Sequence, residues 1–170
     1  FTTGGKSYDL DSVYQLGFAA VADAGGKLVL RFAGRGLQGV ADESWGLDNV
    51  RVAVAPPVAS VSALDPAVAE GAGAAAFRVT LDRVPVTPVT VWYNTRGLTA
   101  TDGFDFTSQS GPLTFTPGQL TLDAYGRPYQ DVSILVNDDT FDEPDEAFAL
   151  DLTTAEGAVL GAASATVTIT

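Results

Sequence analysis

From Val58 onward, short alternations of apolar and polar residues recur with turn residues between them, and no helical period interrupts them. The pattern predicts strands at Ala59–Leu64, Ala74–Leu81, Val89–Thr95, Leu113–Thr116, Gln130–Val136, Ala147–Leu152 and Ala165–Thr170, with a further short one at Leu120–Asp123. Turn signals separate them: Asp65-Pro66, Glu70-Gly71, Asp82 to Pro85, Thr101-Asp102-Gly103, Pro117-Gly118 and Gly126. About seven short strands in roughly 110 residues predict an all-β fold, an immunoglobulin-like antiparallel β-sandwich.

The first 55 residues carry a thinner version of the same rhythm. Val13 to Ala20 alternates with Tyr14, Leu16, Phe18 and Ala20 on one face. Lys27 to Ala33 does so with Leu28, Leu30 and Phe32, and Asp48 to Val54 with Val50, Val52 and Val54. Ala24-Gly25-Gly26 predicts a hairpin turn, and the glycines of Gly34 to Gly46 a loop. Three or four strands make a marginal independent fold, so this partial segment (1–55) is expected to pack on a neighbour or to be completed by another chain. Ala55-Pro56-Pro57 reads as a stiff boundary before the second unit, 58–170.

Composition narrows the chemistry. The 170 residues are 46% hydrophobic, enough for a core. The formal charge is −12, which disfavours nucleic acid and anionic membrane surfaces as partners. Six acids and five bases fall in residues 1–57, but fifteen acids and four bases fall in 58–170, so the acidity belongs to the second unit. Cys, His and Met are absent. That removes thiol chemistry, disulfides and the commonest general base, and leaves only oxygen donors for metals, which suit calcium or magnesium. With Phe1 first and no Met, the sequence gives the expectation of a fragment of a larger protein. No apolar run approaches the ~20 residues of a membrane span.

The densest chemical feature is Asn137-Asp138-Asp139-Thr140-Phe141-Asp142-Glu143-Pro144-Asp145-Glu146, with six carboxylates and no base, between two predicted strands. Like charges crowded on one inter-strand loop repel, and a hard cation that gathers the oxygens relieves this; Ca2+ is the usual candidate. The bland alternative is a solvated charge run that keeps the protein soluble. The loop is a poor EF-hand, because it lacks Gly at the sixth position.

Four blocks resemble the Calx-β domain, a calcium-binding sandwich of sodium–calcium exchangers and bacterial surface proteins. They are Val68-Ala69-Glu70-Gly71-Ala72-Gly73; Val89 to Thr95 with Gly97-Leu98-Thr99-Ala100; Gly103-Phe104-Asp105-Phe106-Thr107 with Gly111 to Gly118; and Asp138 to Phe148. The resemblance spans Val58 to Thr170. It implies calcium ligands at Glu70, Asp105, Asp138, Asp139, Glu143 and Glu146, with the Phe141 carbonyl as a backbone ligand, all brought to one end of the sandwich. The sequence departs from the family pattern in two ways: it stops at Thr168-Ile169-Thr170, just before the further aspartates that often follow the last strand in the family would come, and Leu120 to Tyr129 looks like an insertion.

In the first segment, Asp42 to Val52 resembles the closing strand of bacterial jelly-roll and anchoring modules, which implies a structural calcium at Asp48. The alternative is a core Trp45 and a strand begun by Asp48-Asn49 turn bonds. In the second unit, Val89, Val91 and Tyr93 are predicted inward, which turns Trp92 outward with Thr90 and Asn94 and invites a partner or cover. Gly5-Lys6-Ser7 lacks the glycine-rich lead of a phosphate loop.

The expected function is a calcium-binding structural or adhesive module of a secreted bacterial surface protein. Neighbouring domains or copies of itself would pair through strand edges into filaments or layers. The alternative is a polysaccharide-binding module with Trp45, Trp92 and Tyr125 as stacking faces. No enzyme is expected, since only a carboxylate pair could act.

Overall fold

The computed structural model describes residues 54–138, 140 and 143–170. The strands, the hairpin turn, Trp45 and Asp48 expected in the first segment lie outside these residues, as do Asp139 and Phe141 of the acidic loop.

Among the described residues nine strands build two sheets: β1 Val58–Ala63, β2 Ala67–Val68, β3 Ala74–Leu81, β4 Val89–Gly97, β5 Ser110–Phe115, β6 Tyr129–Leu135, β7 Glu146–Glu156, β8 Val159–Leu160 and β9 Ser164–Ile169. One sheet runs β6-β3-β1-β8 and the other β2-β9-β7-β4-β5. Their inner faces follow from the alternation in the sequence. Ala75, Phe77, Val79 and Leu81 of β3 and Val132 and Ile134 of β6 are buried, as are Val89, Val91 and Tyr93 of β4, Phe148, Leu150 and Leu152 of β7, and Val167 and Ile169 of β9. The result is the expected all-β two-sheet sandwich.

Two details differ from the expectation. The sheets are mixed rather than antiparallel throughout, because β1 pairs parallel with β8 and β2 parallel with β9. Those two partner strands, each two residues long, are too short to show a period. The stretch at Leu120–Asp123 forms no strand; Leu122 makes a single bridge to Pro128, and the chain turns at once. Asp123 causes that turn. Its carboxylate accepts the N–H groups of Tyr125 and Arg127, each at 2.9 Å, and pairs with the Arg127 guanidinium at 2.7 Å.

Asp65-Pro66 does more than turn the chain. Leu64 N–H still donates to Ala76 O across the first sheet, whereas Pro66 O already accepts from Thr168 N–H in the second. The first strand is therefore divided between the sheets, and its second half, β2, is carried to the same end as the starts of β3 and β7.

Trp92 lies on the outer face, as the alternation requires, but it is half-buried rather than exposed. Pro112 and Thr154 are its register partners on the flanking strands.

At the end of β4, Gly97 is needed for space. A Cβ there would lie 2.3 Å from Ala100 O, inside any allowed contact. Gly97→Ala is expected to lower the urea midpoint by the equivalent of about 1–3 kcal/mol. An unchanged midpoint would show that the turn can open at no cost.

Candidate metal centre

The strand ends bring three separated stretches of chain to one tip. Glu70 opens a 3-10 turn, Glu70–Ala72, directly after β2. It is fixed there because β2 pairs with β9 and because Glu70 N–H donates to Thr170 O at 3.1 Å. Asp105 sits in the turn after β4, where its N–H donates to Thr101 O at 3.0 Å and its carboxylate accepts from Thr101 N–H. Its carbonyl accepts from Asn137 N–H at 3.0 Å, which ties the turn to the end of β6.

Glu146 is the first residue of β7 and shares a side of that strand with Phe148, Leu150 and Leu152. The period that buries those three carries the Glu146 side chain into the mouth of the sandwich. Below it the Phe148 ring stacks on Phe106, with centroids 4.6 Å apart and planes 7° from parallel. The two residues that precede this stack, Asp105 before Phe106 and Glu146 two before Phe148, are thereby placed side by side.

One oxygen each of Asp105, Glu143 and Glu146 lies within 4.8 Å of the others. A calcium–oxygen distance of about 2.3–2.6 Å puts ligands on opposite sides of one ion roughly 5 Å apart, so all three can reach a common centre. A pocket of about 20 Å³ opens among Glu70, Asp105, Glu143, Pro144, Glu146, Ile169 and Thr170. That space suits a water or a single ion.

Two features describe the charge balance of Glu146 among the described residues. Glu146 Oε2 is buried with no hydrogen-bond partner among the described residues. The four arginines of residues 54–170 are each ion-paired elsewhere: Arg78 with Asp131, Arg83 with Asp82, Arg96 with Asp151 and Arg127 with Asp123. The donor set at the tip is hard oxygen throughout, and it fits a hard divalent cation.

The same crowding raises the pKa of Glu146. The largest cause is the hydrogen bond that the protonated Glu146 carboxyl makes with Asp105, followed by burial and by the charges of Asp105, Glu143 and Glu70. The folded, metal-free protein therefore holds a proton on Glu146 more tightly than the unfolded chain does. This contribution to stability is complete below the ordinary glutamate value of 4.5 and is lost as pH rises through the raised value. Asp151 and Asp82 act in the opposite sense. The guanidinium groups of Arg96 and Arg83 lower their pKa values, so their contribution is present above the ordinary aspartate value and is lost as pH falls. In chelator, the midpoint of unfolding should decline as pH rises above 4.5, and Glu146→Gln should remove that decline while Asp151→Asn leaves it. A decline that survives Glu146→Gln would assign it to another group.

Of the residues expected at the site, the structure brings Glu70, Asp105, Glu143 and Glu146 to one pocket. Asp138 does not line that pocket. Its exposed carboxylate lies beside the 3-10 turn, 3.9 Å from where a Gly71 Cβ would be. Ile169, Thr170 and Pro144 line the pocket without having been expected there. Ile169 and Thr170 arrive through the parallel β2–β9 pairing, for which a two-residue strand gives no sequence signal.

The profile of the Calx-beta domain matches residues 48–170, well over half of the sequence. The chain belongs to the Calx-beta family. The matched range opens before Val58, so it takes in the Asp48–Val54 stretch that the sequence pattern grouped with the first segment. A crystal structure of the apo-form Calx CBD1 domain is 28% identical with a TM-score of 0.54, covering 66% of this chain and 96% of that one. The calcium binding domain CBD12 of CALX1.1 is 32% identical with a TM-score of 0.55, and there this chain spans 44% of the partner's length. The Calx CBD2 domain, 14% identical with a TM-score of 0.52, shares the fold. No curated protein matches. Neither the family match nor these structures bears on a jelly-roll remnant in residues 1–47 of this Calx-beta chain.

Proposed function

We propose that the Calx-beta domain of this chain binds Ca2+ at the tip formed by Glu70, Asp105, Glu143 and Glu146, and that the ion serves as a structural clamp. The observation that carries the reading is the side chain of Glu146, which clusters with two further carboxylates at an ion-sized pocket and has one oxygen, Oε2, buried without a hydrogen-bond partner among the described residues. A cation there supplies the countercharge that the four arginines, paired elsewhere, do not. Asp138, Asp139 and the Phe141 carbonyl are proposed to complete the oxygen set from the same loop, with water, toward the six to eight ligands calcium takes. The likeness to a structure described as a calcium binding domain supports the same metal.

The role is proposed as architectural. The site ties the β2–β3 turn, the β4–β5 turn and the start of β7 together, so occupancy stiffens one end of the sandwich. Such a clamp suits a module in a secreted, cell-surface chain, where calcium is millimolar and affinities of about 10⁻⁴–10⁻³ M suffice. Adhesion, and assembly by strand pairing through the edges expected of residues 1–55, are part of this proposal on the sequence pattern alone.

Calorimetric titration of the full chain with CaCl2 tests the reading. Saturable binding in the range of about 10⁻⁴–10⁻³ M or tighter is expected, lost in Asp105→Ala. Absence of binding by the unaltered chain would remove it.

A further inference from the structure

The turn that follows β4 holds both backbone polar groups of Ala147, the residue next to Glu146. The N–H groups of Leu98, Thr99 and Ala100 all donate to Ala147 O, at 3.0, 3.1 and 3.0 Å. In return Ala147 N–H donates to the Thr99 hydroxyl oxygen at 2.8 Å. Three consecutive N–H groups on one carbonyl are uncommon for a plain strand end, where one donor per carbonyl is the rule. Gly97 makes the approach feasible, since any side chain there would collide with Ala100 O. Four residues further on, the same segment holds Asp105 through Thr101.

One short stretch, 97–105, therefore controls two of the clustered carboxylates. It carries Asp105 itself, and through Ala147 it fixes the backbone from which Glu146 projects. The backbone donors of Leu98, Thr99 and Ala100 are common to any sequence. Among the described residues, the only side chain that bonds the Ala147 backbone is that of Thr99, and its oxygen is the acceptor for the one N–H that directly follows Glu146.

We infer that Thr99 is a positioning residue for the cation site: its hydroxyl, by accepting from Ala147 N–H, fixes the rotation of the Glu146–Ala147 peptide and so aims the Glu146 carboxylate at Asp105 and Glu143. The inference rests on the calcium reading above. Thr99 touches no clustered oxygen and is not itself a ligand. Its effect is to hold one carboxylate in place before the ion arrives, so that less ordering is left for the binding step.

The test uses the full chain with Thr99→Val, which keeps the shape and removes the acceptor, and Thr99→Ser, which keeps the acceptor. Thr99→Ala serves as a second deletion of the hydroxyl should the valine variant fail to fold. Calcium affinity is measured by calorimetry well below the melting temperature of every variant, and amide hydrogen exchange at Ala147 is read in chelator. The expected result is affinity weaker by about tenfold in the valine and alanine variants, with unchanged stoichiometry, restored by serine, together with faster exchange at Ala147. A purely structural Thr99 would lower the melting temperature and leave affinity within about twofold, and that result would overturn the inference while leaving the calcium site intact. If the unaltered chain takes up no calcium, the calcium reading falls and this inference falls with it.

Discussion

Phe148→Ala is expected to cost about 3–5 kcal/mol of folding stability, the largest effect of any single truncation in the domain. The ring is fully buried, meets Phe77 edge-on at 5.8 Å and stacks on Phe106 at 4.6 Å, so its removal breaks two aromatic pairs and leaves a cavity between the sheets. A domain of this size has a total stability of only about 5–15 kcal/mol, so the variant should be near its unfolding threshold at 37 °C. The loss reaches the tip as well. Phe106 and Phe148 hold the turn of Asp105 and the start of β7 against each other. Phe148→Leu, which restores most of the volume but no stack, is expected to fold and to bind calcium more weakly. Urea unfolding in chelator measures the first effect and calorimetric titration of the leucine variant the second. Wild-type affinity in Phe148→Leu would show that the stack is packing only.

Glu146→Gln should change sign with calcium. Without the ion, the wild-type tip keeps Glu146 beside Asp105, Glu143 and Glu70, with one buried oxygen unpartnered. Removing one charge relieves that repulsion, so at pH 7.5 in chelator the glutamine variant is expected to be more stable than wild type, by of order 1 kcal/mol. With calcium the ranking reverses. An ion present at about 10–100 times its dissociation constant stabilises the wild type by about 1.4–2.7 kcal/mol. In a domain of this size that corresponds to roughly 5–10 °C in melting temperature. The variant, short of one anionic ligand, gains little. Thermal melts of both proteins in chelator and in about 10 mM CaCl2 are enough to see the crossing. Curves that never cross would mean that Glu146 is a solvated acid with no metal to hold.

Much of this was legible in the sequence because the sandwich obeys period two. The predicted run Ala74–Leu81 coincides with β3, and Val89–Thr95 falls short of β4 only by Arg96 and Gly97. Alternation reports which side of a strand is buried, so the inward set Val89, Val91, Tyr93 and the outward Trp92 followed from it. The tip was legible for another reason. Six acids without a base have few stable arrangements, and the family resemblance named Glu70 and Asp105 as their partners from distant positions. What stayed hidden was what depends on non-local pairing or on a side chain with two readings. β2 and β8 are two residues each, and their parallel partners are about 100 residues away. Thr99 looks like any turn threonine until its hydroxyl is seen under Ala147 N–H. The placement of the Asp138 carboxylate beside Gly71 also depends on non-local packing that the sequence pattern does not show.

The most direct test of the central claim is a crystal structure of the full chain grown in calcium, with anomalous differences collected to locate the ion. The account predicts a peak in the pocket between Asp105, Glu143 and Glu146, with carboxylate oxygens about 2.3–2.6 Å from it and Glu146 Oε2 among them. A well-ordered tip with no peak, its carboxylates turned out to solvent in millimolar calcium, would contradict it.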